Sequence, residues 1–468
     1  MRSENDTSNL PQGLEPVSEI EPSTLHPRPR KTSSGLRINL RGRSIRLRGL
    51  HRPPSGVWKW LAILGPGLIA SSAGNDAGGI ATYSSTGAKY GYDLIWVMLI
   101  ITISLGVVQE MAARLGAATG RGLLDLIRER FGLGWACFAI GVILIANGGL
   151  IVSEFVGIGA AAELLRINKY LAIPAAAALV WYLVVFGSYA RVEKIFLLLT
   201  LVFFAYPVAA FLGGPHWSEV ARGAFIPTFH RDPDYLLLVV GLIGTTITPY
   251  MQLFQQSSIV ERGAARGHYG PERIDAYAGS VFSNLMSIFM IIATAATLHA
   301  AGQKEIGTAA EAARALEPAA GAAAGVIFAV GLLGASMLAA AVLPLATSYA
   351  VSETFGFPKG VNLDFRHARI FFWLFSILIL MGSAVAAIPG LPVIKMLLLV
   401  QVLNGVLLPI ILLFILRLIN DERLTGKLKN TRVFNILGWG TFGLVTTAVT
   451  MMLGTQLLEF LGVTLFKK

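Results

Sequence analysis

From residue 57 to residue 462 the chain is a succession of apolar runs separated by short polar gaps, each run about 20 residues long. Such a run, wound into a helix, matches the roughly 30 Å hydrocarbon core of a bilayer. Backbone polar groups in lipid must be satisfied within the segment, and these runs lack the two-residue alternation of barrel strands. The fold class they impose is all-α and integral to a membrane. Composition agrees, because 54% hydrophobic residues, 14% charged residues and a mean hydropathy of +0.64 leave too little polar surface for a water-facing globule.

Eleven spans are predicted, near 57–88, 92–112, 134–160, 170–187, 195–213, 235–259, 279–300, 323–350, 370–387, 391–416 and 433–459. With residue 1 inside, the inner segments carry 28 of the 38 Lys and Arg residues and the outer segments carry 9. That bias places the amino terminus in the cytoplasm and, after an odd number of spans, the carboxyl terminus outside, in what reads as the plasma (inner) membrane. The net charge of +11 is therefore topogenic rather than a sign of nucleic-acid binding. Residues 1–56, polar and rich in Pro, Ser and Arg, read as an unfolded basic tail, and residues 57–468 as one membrane domain. The lone Cys137 forms no intrachain disulfide and says nothing firm about redox compartment.

Two spans carry helix-breaking chemistry, the first at Asp76-Ala77-Gly78-Gly79 and the sixth at Gly244 to Tyr250, through Pro249. They cross in opposite directions and stand five spans apart. The chain thus reads as two inverted five-helix repeats, about 57–213 and 235–416, plus an eleventh helix. That layout is the LeuT-type fold, in which the unwound segments meet near the midplane and their freed backbone groups coordinate an ion.

Asp76 is the most informative residue, because a carboxylate at the bilayer centre costs roughly 2.5 to 3.5 kcal/mol on insertion scales. No Lys or Arg stands within a helical turn of it. Such an acid either binds a cation or stays protonated against the unwound backbone. The Thr245 carbonyl, the Thr248 hydroxyl and the Gln401 amide are oxygen donors suited to a hard divalent ion.

The stretches GPGLIASSAGNDAGGIATYSSTGAKYGYDLIW, QEMAARLGAATGRGLLDLIRERFG, GTTITPYMQLFQQSSIVER, QVLNGVLLP and NDERLTGKLKN resemble the natural-resistance-associated macrophage protein (NRAMP) family of divalent metal transporters. The resemblance runs from about residue 64 to residue 435. It implies a LeuT-like fold and a metal site built from the Asp and Asn of a DPGN motif, with a Met and a backbone carbonyl from a sixth-helix A-T-I-M-P-H motif. Carried over by position, these fall on Asp76, Gly79, Thr248 and Thr245.

Several functional positions depart from that pattern. A thioether favours soft transition metals, so a hydroxyl at Thr248 lowers discrimination against Mg²⁺. Glycine at 79 deletes an amide ligand and is expected to leave room beside Asp76, as suits an Mg²⁺ ion that keeps several waters. The pattern resembles the NRAMP-related magnesium transporter branch. Two family histidines are replaced by Tyr250 and Gln255, neither of which titrates near neutral pH, and the third-helix D-x-x-E retains only Glu154. Proton coupling is therefore not expected.

Further residues carry weaker signals. Glu154 is either a structural acid or a residual ion or proton group, and Gln401 either approaches the metal, as the resemblance implies, or is interhelical glue. Asn75 either lines the cavity or caps the broken helix. Arg262 belongs to an inner-gate ion pair or to the topogenic charge, and Asn404 is structural. Glu110, His299 and Lys395 are expected at the membrane interface. No P-loop, HExxH, CxxC or GxSxG motif is present, so neither an enzyme nor an ATP-driven pump is indicated. No cofactor and no obligate protein partner are implied; the partners are the bilayer and a transported Mg²⁺ or Mn²⁺ ion. Three alternatives stand beside this reading: a proton-driven transition-metal importer, a LeuT-type carrier of amino acids or other organic solutes, and a non-transporting sensor. An aspartate at the helix break would repel a substrate carboxylate, which weighs against the second.

Overall fold

The computed structural model describes residues 37–40, 43–46, 74–186, 204–261, 269–361 and 363–461, in two units, 1–59 and 60–468. Within the stretch expected to be unfolded, β1 (Arg37–Leu40) and β2 (Arg43–Arg46) form an antiparallel ribbon, with Arg37 opposite Arg46 and Leu40 opposite Arg43. The rest of residues 1–56 and the first half of the predicted first span lie outside the described residues.

The second unit is helical: α1 (Ala77–Tyr90), α2 (Ile95–Thr119), α3 (Leu123–Phe131), α4 (Leu133–Leu164), α5 (Lys169–Val185), α6 (Ala205–Leu212), α7 (Trp217–Phe225), α8 (Pro233–Thr246), α9 (Pro249–Glu261), α10 (Tyr269–Thr294), α11 (Ala324–Phe355), α12 (Arg369–Ala386), α13 (Val393–Ile419) and α14 (Arg432–Phe460). Among the described residues eight helical segments are long and apolar enough to cross a membrane. The spans predicted at 57–88 and 195–213 are described only in part, and α5 has 17 residues.

Sequence explains where each element sits. The α14 helix buries a single stripe, Gly438, Thr441, Val445, Val449 and Met452, at helical spacing, and leaves its other faces open. Long α4 and α11 are apolar on every side; they pack against each other and are buried over much of their length. Amphipathic α3 buries Leu123, Leu124, Leu126 and Ile127 and turns Glu129 and Arg130 outward. In the middle, α1 packs on α4, α8 and α13, so the two broken segments come together.

Candidate metal-ion site

The first break is a helix start. Asp76 is the N-cap of α1, and its Oδ1 accepts from the Gly79 N–H at 2.6 Å, satisfying one of the free donors that open a helix. The cap is thus Asp76 itself, while Asn75 is turned away into α10: its Nδ2 donates to the Ser283 carbonyl at 3.3 Å and its Oδ1 accepts from Ser287 Oγ at 2.8 Å. The second break follows from Pro249. The α8 helix ends at Thr246, Ile247 leaves helical geometry (φ −116°, ψ 61°), and Pro249 opens α9. Because proline has no N–H, the Thr245 carbonyl loses its partner four residues on and is free to face a ligand.

Gln401 reaches across from α13, and its Nε2 donates to Asp76 Oδ1 at 3.1 Å. This crossing needs Gly78, where a Cβ would lie 2.0 Å from the Gln401 Nε2 position. Gly79 also differs from expectation. A Cβ there would sit 2.7 Å from the Gly74 carbonyl oxygen and 3.0 Å from Thr245 Oγ1, so in this closed arrangement the volume is taken by backbone and hydroxyl rather than left open.

Glu154 enters from α4. Its Oε2 accepts from the Ala77 N–H at 3.3 Å and its Oε1 from Ser153 Oγ at 3.3 Å, which places a second carboxyl at the amino end of α1. Asp76 and Glu154 are close enough to repel when both are ionised. Both are fully buried, as are Thr245, Thr248, Tyr250, Gln255 and Gln401. None of these side chains has exposed surface.

The polar inventory is left incomplete at this point. Asp76 Oδ2, Thr245 Oγ1, Thr248 Oγ1, Gln401 Oε1 and Ser336 Oγ are buried without a hydrogen-bond partner, as are both amide atoms of Gln255 about two turns further along α9. Oxygens buried in this way are costly unless something occupies them. Among the described residues Arg114 is the one buried basic side chain, and it pairs with Glu110 at 3.1 Å. Among the described residues, then, no protein cation balances Asp76.

Other expected positions sort differently. Glu110 does not reach solvent: it is 2% exposed, held by Arg114 and the Tyr269 hydroxyl, because the i,i+4 spacing puts acid and base on one face of α2. Lys395 is exposed, and half-buried His299 bonds the Ala88 carbonyl at 2.8 Å. Asn404 bonds the Val400 carbonyl of its own helix at 2.8 Å. Arg262 lies outside the described residues. Sequence reasoning missed Ser336; its signal was a hydroxyl set deep in the apolar run of α11.

Comparison with known proteins gives a consistent picture. The family described as natural resistance-associated macrophage protein-like matches residues 67–455. A curated relative from Deinococcus radiodurans, called divalent metal cation transporter MntH, is 29% identical over 423 residues, covering 87% of this chain and 92% of its own. Among solved structures, an Eremococcus coleocola manganese transporter aligns with a TM-score of 0.69 at 19% identity, covering 87% of this chain and 90% of its own. MhsT in complex with L-phenylalanine aligns at 0.55 with 16% identity, covering 83% and 97%. At those identities the structures speak for the fold alone, and the fold is LeuT-type.

Proposed function

The chain belongs to the natural resistance-associated macrophage protein-like family, and from that premise we propose that it is a carrier of divalent metal ions that moves Mg²⁺, with Mn²⁺ as a second substrate, by alternating access and without proton coupling. The observation that carries this reading is the set of unpartnered buried oxygens around Asp76, with no basic residue buried beside them among the described residues. A divalent cation neutralises Asp76 and Glu154 together and gives the free Asp76 Oδ2, the Thr245 carbonyl and the Thr248 hydroxyl a common partner. All are hard oxygen donors, as Mg²⁺ prefers. Because the space beside Gly79 is filled here, this reading puts the ion's hydrated form in arrangements more open than this one, with water shed as the site packs down. The carrier is read as lying in the plasma membrane with its amino terminus in the cytoplasm.

A second reading, a proton-driven importer of Mn²⁺ or Fe²⁺, is favoured by one observation: Glu154 contacts the Ala77 N–H beside Asp76, where a proton released on metal entry would be received. Proteoliposomes separate the two. An inward Mg²⁺ gradient is expected to drive Mg²⁺ influx with no change in internal pH. Stoichiometric acidification, or Mn²⁺ uptake untouched by millimolar Mg²⁺, would favour the second reading.

A further inference from the structure

Away from the ion site, a crevice of about 340 Å³ opens between α2, α10 and α14. Its mouth holds Arg273, an exposed residue at the start of the apolar span that runs from Glu272 to His299. Its walls are Ile103 and Val107 of α2, Val281 of α10 and Leu437 of α14. From Arg273 to Val281 the helix advances about 12 Å, so the crevice runs from the membrane surface down into the hydrocarbon. At its polar edges Asn284 Nδ2 donates to Thr102 Oγ1 at 2.9 Å, and Thr441 and Ser104 share a hydrogen bond at 3.0 Å.

Two guanidiniums meet at the mouth. Arg114 and Arg273 both stand over the Phe434 ring, at 4.9 Å and 6.0 Å from its centroid, and Arg273 is also 5.9 Å from that of Tyr277. The carboxylate that feels both, Glu110, is bound to Arg114 at 3.1 Å and to the Tyr269 hydroxyl. Two guanidiniums share one acid, and among the described residues Arg273 has no ion pair of its own. Aromatic rings support its plane, the Tyr277 hydroxyl takes part of its donor edge, and the remaining donors suit an anion. A single positive head above an apolar slot of acyl-chain depth matches one kind of molecule.

We infer that this crevice binds one anionic glycerophospholipid, its phosphate on Arg273 and an acyl chain along Ile103, Val107, Val281 and Leu437. A basic residue near the headgroup plane contributes an attraction equivalent to about a fivefold change in affinity. Delipidated protein in detergent, titrated with phosphatidylglycerol or phosphatidylcholine and read by native mass spectrometry, tests this. Wild type is expected to retain phosphatidylglycerol over phosphatidylcholine, and Arg273→Gln to lower phosphatidylglycerol occupancy about fivefold while leaving phosphatidylcholine unchanged. Val281→Trp, at a site 56% exposed and so tolerant of bulk, is expected to remove both lipids by filling the slot. Inorganic phosphate at millimolar concentration is expected to leave the lipid bound. Equal retention by Arg273→Gln, retention of both lipids by Val281→Trp, or displacement by phosphate alone would each overturn the assignment, the last by making it a free-anion site.

Discussion

Asp76, at the amino end of α1, and Glu353, near the end of α11, are both buried acids, and their surroundings are opposite. Around Glu353, at the end of α11, everything is satisfied: Oε2 accepts from the Leu124 N–H at 3.3 Å, and Oε1 accepts from Ser257 Oγ at 2.9 Å and lies 3.4 Å from Lys359 Nζ. Lys359 also holds Asp125 at 2.6 Å, so α3, α9 and α11 are tied together. Around Asp76 one carboxylate oxygen, two hydroxyls and an amide oxygen have no partner, and no base is buried there among the described residues. Equal burial with unequal satisfaction distinguishes an acid that fastens helices from one that waits for a passenger.

That contrast is open to being broken. Its largest consequence concerns Asp76→Ala, which is expected to lower Mg²⁺ flux in proteoliposomes by at least about 100-fold, since even supporting groups around a metal contribute 10- to 100-fold. Thermal stability should change less than flux, because relief of a buried charge with no counter-ion among the described residues offsets the lost bonds to Gly79 and Gln401. Flux within tenfold of wild type would remove Asp76 from the centre of the account. Glu353→Ala should do the reverse, costing about 1 to 3 kcal/mol of stability by orphaning buried donors, with the Mg²⁺ to Mn²⁺ ratio unchanged; Lys359 is partly exposed and screening lowers its share. Thermal unfolding in detergent alongside dual-ion flux would register both effects, and an altered ion ratio would erase the contrast. Gln401→Ala carries the smallest effect, a roughly tenfold loss of flux, matching one hydrogen bond to a charged group. Unaltered flux would make Gln401 packing glue alone.

Much of this was legible beforehand because it rests on punctuation. Glycine, proline and a stray carboxylate in otherwise apolar runs mark the breaks at 76–79 and 244–250, and their separation by five spans carries the inverted-repeat fold. Contacts between residues far apart in the chain were not legible: the Gln401 to Asp76 bond spans 325 positions, and only the family resemblance directed attention to it. Gly79 shows a different limit. A missing side chain was read as empty space, whereas the space is filled by Gly74 and Thr245, which no local pattern reveals. Glu110 shows a third: the basic residue four positions on was present in the sequence, and the pair forms inside the protein rather than at its edge.

The central claim is that hydroxyl and carbonyl oxygens around Asp76 make the site one for a hard ion. The direct measurement is Mn²⁺ uptake into proteoliposomes under increasing external Mg²⁺, for wild type and Thr248→Met. Millimolar Mg²⁺ should suppress uptake by wild type, and the thioether should relieve that suppression while sparing Mn²⁺ transport. Identical inhibition curves for the two proteins would contradict the account.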